Sequence, residues 1–430
     1  MANNGKDCCS FRDFPEDIQV CILSFLGPSE IATLACTSKQ LGSLCATGSK
    51  LWLSMCERRW GSKTRIAQWG KGKGIISYKR VYNTLHHWEN LLGFWRRSGP
   101  GAPSLLFFEW GPSFISASRV SPSNSLSYAV TKTPFLWMTL SDEGHLVTLL
   151  DPDGRPDFKP QIWNELVAVD VSFMGKTHFV VEEKQFRDDD VVLDNGSPPE
   201  KFMAEIYQHF ANRRSPGSDR SRRQRRREKE RLAKRRLEPQ HFVKIVNCSP
   251  TPARPLQGLW KGICGDMSLE FYLVAYDDIG GITCRRIWDS PEPFSGHAPV
   301  FWTSNATFLE SPFSQEEESL YDSRIHLRPL QLSNEIPEQF PLSDGEVENR
   351  IQLLQLSDNV VNGILHIRSS YDLVVPDLAG TINPRSAEGR IWQYQNGTFG
   401  FGFLSDNFVV DMKHIVHNGC IVDTVNSSAD

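Results

Sequence analysis

Short apolar runs separated by glycine, proline and serine fill the chain after residue 90 and most constrain how it can fold. Runs of this length are typical of β-strands, and the turn-forming residues between them favour antiparallel neighbours. The spacing therefore predicts a sandwich or barrel of antiparallel strands. The runs cover residues 105–108, 135–138, 146–150, 167–171, 178–181, 241–246, 269–276, 281–287, 363–367, 390–394, 398–404 and 408–410.

Two tryptophans in this region share a local pattern, Gly-x-Trp followed by a basic residue, at Trp95 and Trp260. A Gly-x-Trp that opens a strand resembles the start of lipocalin-like barrels, in which the tryptophan closes one end. This resemblance supports an alternative function, a small-ligand-binding barrel protein whose helical N-terminus is merely structural. Core packing is the simpler explanation of two short matches. Further on, Phe399, Phe401 and Phe403 alternate with glycines, which places the three rings on one face of a strand.

The first 60 residues have a helical pattern instead. Ile18, Ile22 and Leu26 recur every four residues after Pro15, and a first helical turn tolerates proline because its missing N–H would be unpaired there. A second helix is predicted with Ser29 as its N-cap, and a third over residues 51–60. Three short helices bury too little surface to be stable alone, so we expect them to pack against a partner.

The residues of this region resemble the F-box motif position by position. In that family the motif binds the Skp-type linker of Skp–cullin–F-box ubiquitin ligases, which implies an adaptor without catalysis. Two positions depart from the family pattern: Phe14 stands where leucine is usual, and Leu41 stands where tryptophan is usual. Both keep an apolar side chain. The resemblance assigns linker binding to Phe14, Pro15, Ile18, Ile22, Leu23, Leu26, Ile31, Leu34, Leu41 and Trp52.

The strand-rich region also resembles a known class. The stretch around Trp260, together with Trp95 before it and the Phe399 strand after it, is similar to the substrate domain of the F-box-only class that targets D-type cyclins. The resemblance implies a β-barrel that presents a client protein for ubiquitination and proteasomal degradation. It leaves the client's identity open. The candidate barrel or client site is Trp95, Trp260, Phe399 and Phe401.

One segment, residues 213–236, is crowded with arginine and lysine although the whole chain has a net charge of -4. Such charge density cannot pack in a core, so we expect a basic, disordered insertion at residues 211–240. It is either a nuclear-import signal or a solvated loop, and nucleic-acid binding is disfavoured because no aromatic residues interleave with the arginines. The candidate import residues are Arg222, Arg223, Arg225, Arg226, Arg227, Lys234, Arg235 and Arg236.

The remaining chemistry of the sequence is sparse. The ten cysteines lack the paired spacing of zinc sites, and no metalloprotease or nucleophile-elbow motif is present. We therefore expect reduced thiols, no metal site, no cofactor and no catalytic residue. No apolar stretch is long enough to span a membrane, so we expect a soluble, unanchored protein that is nuclear, cytoplasmic or both.

The predicted fold is α+β. An F-box helical domain of three helices covers residues 8–60, and a connecting helix or loop covers residues 61–90. A mainly antiparallel β-barrel with helical and disordered insertions, including a surface loop at about residues 312–350, covers residues 91–425.

Overall fold

The computed structural model describes residues 11–46, 50–69, 76–98, 104–123, 127–141, 143–151, 166–184, 239–264, 268–287, 299–329, 360–369, 387–417 and 419–425. Helices come first and antiparallel strands follow, which confirms the predicted α+β class. After a short 3-10 turn at Phe11–Asp13, the helices are α1 (Glu16–Leu23), α2 (Pro28–Ala35), α3 (Lys39–Leu44), α4 (Lys50–Trp60), α5 (Ile66–Trp69), α6 (Tyr78–Trp88) and, within the strand region, α7 (Gln315–Asp322). In the described part of the chain, no helix is both long and apolar enough to cross a membrane.

The helical region has one more helix before residue 60 than the three expected, among the residues described there. Ser38 caps the N-terminus of α3 by accepting a hydrogen bond from the Leu41 N–H, so the expected second helix divides into α2 and α3. Ser29 is not the N-cap of α2. Gly27 holds that position, and its N–H donates to the Glu30 carboxylate at 2.6 Å.

The strands form two closed rings rather than one barrel. The first ring, barrel 1, has eight strands in chain order around the ring, because β4 pairs with β3 on one side and with β5 on the other. Its strands are β1 (Gly93–Ser98), β2 (Leu105–Trp110), β3 (Ile115–Pro122), β4 (Val130–Leu140), β5 (Leu146–Leu150), β6 (Val167–Phe173), β7 (His178–Glu183) and β8 (Gln240–Lys244).

The second ring, barrel 2, also closes through eight strands in an up-and-down order, since β12 pairs with both β11 and β15, and β18 pairs with β9. The strands of the ring are β9 (Gly258–Ile263), β10 (Leu269–Tyr276), β11 (Ile282–Arg286), β12 (Phe301–Thr303), β15 (Val361–Ser369), β16 (Glu388–Tyr394), β17 (Phe399–Phe403) and β18 (Phe408–His414). Short additions lie outside the ring: β13 (Leu309–Glu310), β14 (Ile325–Leu327), β19 (Val416–His417), β20 (Cys420–Ile421) and β21 (Thr424–Val425).

The helical region and barrel 1 share one hydrophobic core. Side chains of α4 and α6 belong to the same buried cluster as the rings inside barrel 1. His87 of α6 meets Phe173 of β6 edge to face at a centroid distance of 4.9 Å. The Thr64 hydroxyl donates to the carbonyls of Gly111 and Pro112, so the chain that leaves α4 is fixed to the β2–β3 turn. The helices and barrel 1 therefore form one packed unit.

The two barrels pack against each other through outward-facing apolar side chains. Phe94 and Phe107 of barrel 1 share a buried cluster with Leu259 and Phe271 of barrel 2. Because side chains alternate along a strand, these residues face the neighbouring barrel while the residues between them face inward. The outer side of barrel 2 is covered elsewhere by α7, whose Tyr321 ring contacts Trp392 at a centroid distance of 5.5 Å.

Most of the basic insertion and most of the predicted surface loop lie outside the described residues. The candidate import residues Arg222 to Arg236 are among them. Three parts of these predicted segments are described and are regular. Gln240 opens β8, and within the predicted loop residues 315–322 form α7 and residues 325–327 form β14.

Candidate functional site

The first helix and the residues on either side of it expose an apolar stripe. Phe14, Ile18, Ile22 and Phe25 are 41%, 46%, 45% and 70% exposed, and we call these four residues the α1 stripe. Ile18 and Ile22 follow at helical spacing, so their side chains align on one face. Monomeric proteins seldom expose contiguous large apolar side chains, and such patches mark sites of protein interaction.

The opposite side of α1 is apolar as well, and it holds the helix in place. Val20 and Leu23 are buried in the common core with Ile31 and Trp52. The Gln19 amide donates to the Phe14 carbonyl at 2.7 Å, which fixes the chain just before the helix. The helix that carries the stripe is therefore held in place by the burial of its opposite face in the core.

Charged groups frame the α1 stripe. The guanidinium of Arg58, on α4, lies 4.7 Å from the centre of the Phe25 ring, which orients that ring. Glu16 and Asp17 occupy the first turn of α1, where the helix dipole favours acidic side chains. Asp17 also forms an exposed ion pair with Lys50 at 3.3 Å. An apolar centre with a polar rim is the usual anatomy of a protein interface.

The structure separates the residues assigned to linker binding into three groups. Phe14, Pro15, Ile18 and Ile22 are exposed. Leu26 and Leu34 are half-buried beside the core, whereas Leu23, Ile31, Leu41 and Trp52 are buried within the helical region. The buried residues shape the surface without reaching it. Phe25 is the most exposed member of the stripe but was absent from the assigned set, although its spacing three residues after Ile22 was a usable signal.

The Gly-x-Trp pattern marks the first strand of each barrel. Trp95 lies in β1 and Trp260 in β9, and both side chains are fully buried. Each indole N–H donates to the backbone carbonyl four residues earlier, Trp95 to Leu91 at 2.6 Å and Trp260 to Leu256 at 2.8 Å. The two short sequence matches thus correspond to the same local structure in both barrels, a buried tryptophan whose indole donates to the carbonyl four residues earlier.

Phe399 and Phe401, the other two candidate client-site residues, also lie in the core of barrel 2. The three phenylalanines of β17 belong to one cluster, as their alternation predicts. Phe399 packs edge to face on Trp260 at a centroid distance of 4.6 Å. All four candidate residues, Trp95, Trp260, Phe399 and Phe401, therefore pack inside the barrels instead of lining an open surface.

Barrel 2 also contains a polar cluster that the sequence did not reveal. The Glu270 carboxylate accepts a hydrogen bond from the Tyr272 hydroxyl at 2.8 Å and pairs with the Arg286 guanidinium at 2.9 Å. The Cys264 sulfur lies 2.7 Å from the same hydroxyl. Burial, with the nearby negative charge of Glu270, raises the pKa of the Cys264 thiol to about 12, so this cysteine stays protonated and a poor nucleophile.

Comparison with known proteins agrees with the geometry of the α1 region. An F-box-like family model matches residues 11–58. F-box protein At3g12350 of Arabidopsis thaliana is 45% identical over 442 residues, which cover 97% of this chain and 98% of that protein. Putative F-box protein At5g39480 of the same plant is 32% identical over 124 residues, 28% of this chain and 21% of that protein. The match to the first relative runs through the helices and both barrels, and the chain therefore belongs to the F-box protein family.

Proposed function

We propose that this F-box protein is the substrate-recognition adaptor of a Skp–cullin–F-box ubiquitin ligase. The α1 stripe docks on the Skp-type linker, and the linker connects the chain to the cullin. The barrels present a client protein, which is ubiquitinated and then degraded by the proteasome. The observation that carries the proposal is the stripe itself, a row of large exposed apolar side chains on α1 and at its two ends, where the opposite side of the helix packs in the core.

The energetics of the stripe suit such docking. Burying apolar surface contributes roughly 25 cal/mol per Å², and large side chains at the centre of an interface supply most of its binding energy. Phe14, Ile18, Ile22 and Phe25 each leave a large part of that surface in water in the free chain. Because Val20 and Leu23 already hold α1 in the core, docking needs no reorganisation of the helix.

The packing between the helices and barrel 1 supports the presenting role. An adaptor raises the concentration of client lysines near the loaded ubiquitin-conjugating enzyme, and a rigid connection restricts the orientations that must be searched. Here α6 and barrel 1 share one core, and Thr64 bonds to the β2–β3 turn. Client recognition of the kind found in the class that targets D-type cyclins remains a prediction from the sequence.

The docking step is tested by a pull-down from cell extract with the full chain as bait. We expect Ile18→Glu with Ile22→Glu to abolish capture of the Skp-type linker and the cullin, since a charge at a buried apolar contact costs several kcal/mol. The matched control is Ile279→Glu, because Ile279 is 88% exposed in the β10–β11 turn, far from α1 in the chain.

Capture by both the unmutated chain and the control, with loss in the double variant, supports docking through the stripe. Equal capture by the double variant would place the linker elsewhere. If the unmutated chain captured neither partner, the adaptor function itself would fail.

We also propose that the basic segment directs the chain to the nucleus. The density of arginine and lysine in residues 213–236 supports this. A fluorescent protein fused to that segment should accumulate in nuclei. The same fusion with Arg225, Arg226 and Arg227 replaced by alanine should not, and an even distribution of the unmutated fusion would leave the segment as a solvated loop.

The alternative function, binding of a small ligand, is favoured by one observation, the pair of up-and-down eight-stranded rings that each open with Gly-x-Trp. The interior packing of the barrels argues against ligand binding. Side chains alone can fill the interior of an eight-stranded barrel, which then has no space for a ligand. In barrel 2 the space is occupied by Trp260, Phe399 and Phe401 together with Tyr272 and Phe301. Native mass spectrometry of the purified chain tests it, because a copurifying ligand of constant mass would revive this function.

A further inference from the structure

Two histidines contact each other on the outside of barrel 1 as diagonal neighbours, because the register sets His178 opposite Val243 and His241 opposite Val180. His178 lies on β7 and His241 on β8, and the Nε2 atom of His178 is 3.1 Å from the Nδ1 atom of His241. The ring centres are 5.3 Å apart. Both side chains are only partly buried, so the pair is accessible from solvent.

The barrel core holds this pair in position. Phe179 and Phe242, the residues that follow the two histidines, are direct partners in the β7–β8 register. Their rings stack inside barrel 1 at a centroid distance of 4.9 Å and an interplanar angle of 16°, and both are fully buried. Since side chains alternate along a strand, the buried phenylalanines fix the outward direction of both imidazoles.

The separation of the two nitrogens fits metal binding. Zinc binds imidazole nitrogen at about 2.0–2.1 Å in tetrahedral geometry, which puts two such ligands about 3.3 Å apart. Opening the observed 3.1 Å by a few tenths of an ångström satisfies this distance. Imidazole nitrogens also suit copper and nickel.

We propose that His178 and His241 form a two-histidine site for a divalent transition metal, with water or a group from a bound protein completing the coordination. In the described part of the chain, no group of three or more histidine, cysteine or acidic side chains is arranged to hold a metal, so the protein supplies two ligands at this place. The site does not depend on the ubiquitin-ligase function.

The site lies between two strands that are far apart in the chain, so a bound metal would affect the stability of their pairing. β7 ends at Glu183 and β8 begins at Gln240, so the two strands are neighbours in the ring although a long segment joins them. Bringing the ends of such a segment together has an entropic cost that grows with its length. A metal bound across the pair stabilises the β7–β8 pairing and, with it, the closure of barrel 1.

Zinc titration of the untagged full chain, followed by calorimetry and by thermal unfolding, tests the site. The variants are His178→Gln and His241→Gln, which keep a polar side chain of similar size. The control is His145→Gln, because His145 is an exposed histidine of barrel 1 outside the pair. We expect the unmutated chain and the control to bind one Zn²⁺ at least tenfold more tightly than either variant, and only they should melt at a higher temperature in zinc than in chelator.

Equal zinc affinity in all four proteins, or melting that does not respond to zinc, would overturn the proposal and leave a simple hydrogen bond between the rings. A spectroscopic readout keeps the test independent of the variants. The unmutated chain with one equivalent of Cu²⁺ should give an electron paramagnetic resonance spectrum with splitting from two imidazole nitrogens. A spectrum without that splitting also rules the site out.

Discussion

The Lys261 ammonium lies 2.9 Å from the carboxylate of Asp423, and this contact joins barrel 2 to the C-terminal segment of the chain. Lys261 is on β9 and is completely buried, and its ammonium also donates to the carbonyls of Tyr128 and Val422. Tyr128 lies between β3 and β4 of barrel 1. One buried lysine therefore contacts both barrels and the segment between β20 and β21, and we call this set of contacts the joint. Burial lowers the pKa of Lys261, and the three acceptors compensate for the water it has lost.

The C-terminal segment completes this joint on the side of barrel 1. β5 pairs with β4 only from Leu136 to Leu140, which leaves the start of β4 open on that side. There β21 pairs with β4 in parallel, and the Val130 N–H donates to the Asp423 carbonyl at 2.9 Å. Burial alone would raise the pKa of Asp423, but hydrogen bonds from Lys261 and Lys413 hold it below its ordinary value.

The first prediction concerns this joint. Asp423→Asn should lower the free energy of unfolding by about 2 kcal/mol, because a buried ammonium loses its charged partner and keeps at most a hydrogen bond to a neutral oxygen. Urea denaturation followed by circular dichroism measures the change. The control is Lys413→Met, which removes an exposed cation 3.0 Å from the same carboxylate and should cost less than about 1 kcal/mol. Equal losses in the two variants would show that burial of Lys261 does not matter.

The second prediction is a pH dependence that arises from His414. Burial, together with the nearby His417, lowers the pKa of His414 from 6.5 to about 4, and its ring stacks on Trp260 at a centroid distance of 3.7 Å. The unfolded chain therefore binds a proton between pH 6.5 and 4 that the folded chain does not, so stability falls as the pH drops through this range. One pKa unit corresponds to about 1.4 kcal/mol, and the partial exposure of His414 reduces the loss to roughly 2 kcal/mol.

His414→Phe keeps an aromatic ring over Trp260 and cannot titrate. Urea midpoints measured at pH 7 and pH 4.5 should therefore differ less for this variant than for the unmutated chain. Parallel pH profiles for the two proteins would rule out His414 as the cause.

The third prediction concerns the Gly-x-Trp tryptophans. Trp260→Ala should cost about 3–5 kcal/mol of stability, because it leaves a cavity in barrel 2 and removes the donor to the Leu256 carbonyl. Trp95→Ala should do the same in barrel 1. Trp302 of β12 is partly exposed, so Trp302→Ala is a control with a smaller expected loss. Chemical denaturation measures the free energy of unfolding of the three variants. A small loss of stability in Trp260→Ala would contradict the role of Trp260 in the core.

The fourth prediction tests the close packing of β17. A methyl group at Gly400 would lie 2.6 Å from a Val409 methyl and 2.9 Å from an Asp411 carboxylate oxygen, both closer than real contacts allow. Gly400→Ala should therefore destabilise the chain by about 1–3 kcal/mol, the usual result of overpacking. Thermal unfolding by calorimetry measures it, and an unchanged melting temperature would mean that Tyr394 of β16 and the side chains of β18 move aside at little cost.

The local sequence pattern was sufficient to predict most of the secondary structure. The period of Ile18 and Ile22 predicted α1, and short apolar runs bounded by turn residues predicted strands that the structure contains. β3 was missed because its sequence, ISASRVSP, has few large apolar side chains. Its strand pairing with β2 and β4 outweighs this weak local preference.

The candidate site was predictable in part for the same reason. Periodicity along α1 identifies apolar residues, but this helix is apolar on two sides, and only packing decides that Leu23 is buried while Phe25 is exposed. The pattern at Trp95 and Trp260 pointed to a repeated feature without showing that each indole is buried and donates to the carbonyl four residues earlier. The identity of a side chain does not specify its neighbours across a barrel.

The sequence by itself thus determined where the helices and most strands lie and which chain segment carries the F-box, because these depend on residues close together in the chain. The tertiary structure decided that the strands close into two rings, which requires β1 to meet β8 and β9 to meet β18 across long separations. It also decided that Lys261 is buried at the joint and that His178 contacts His241. Such contacts depend on the paths of distant segments, and no local period or charge pattern encodes them.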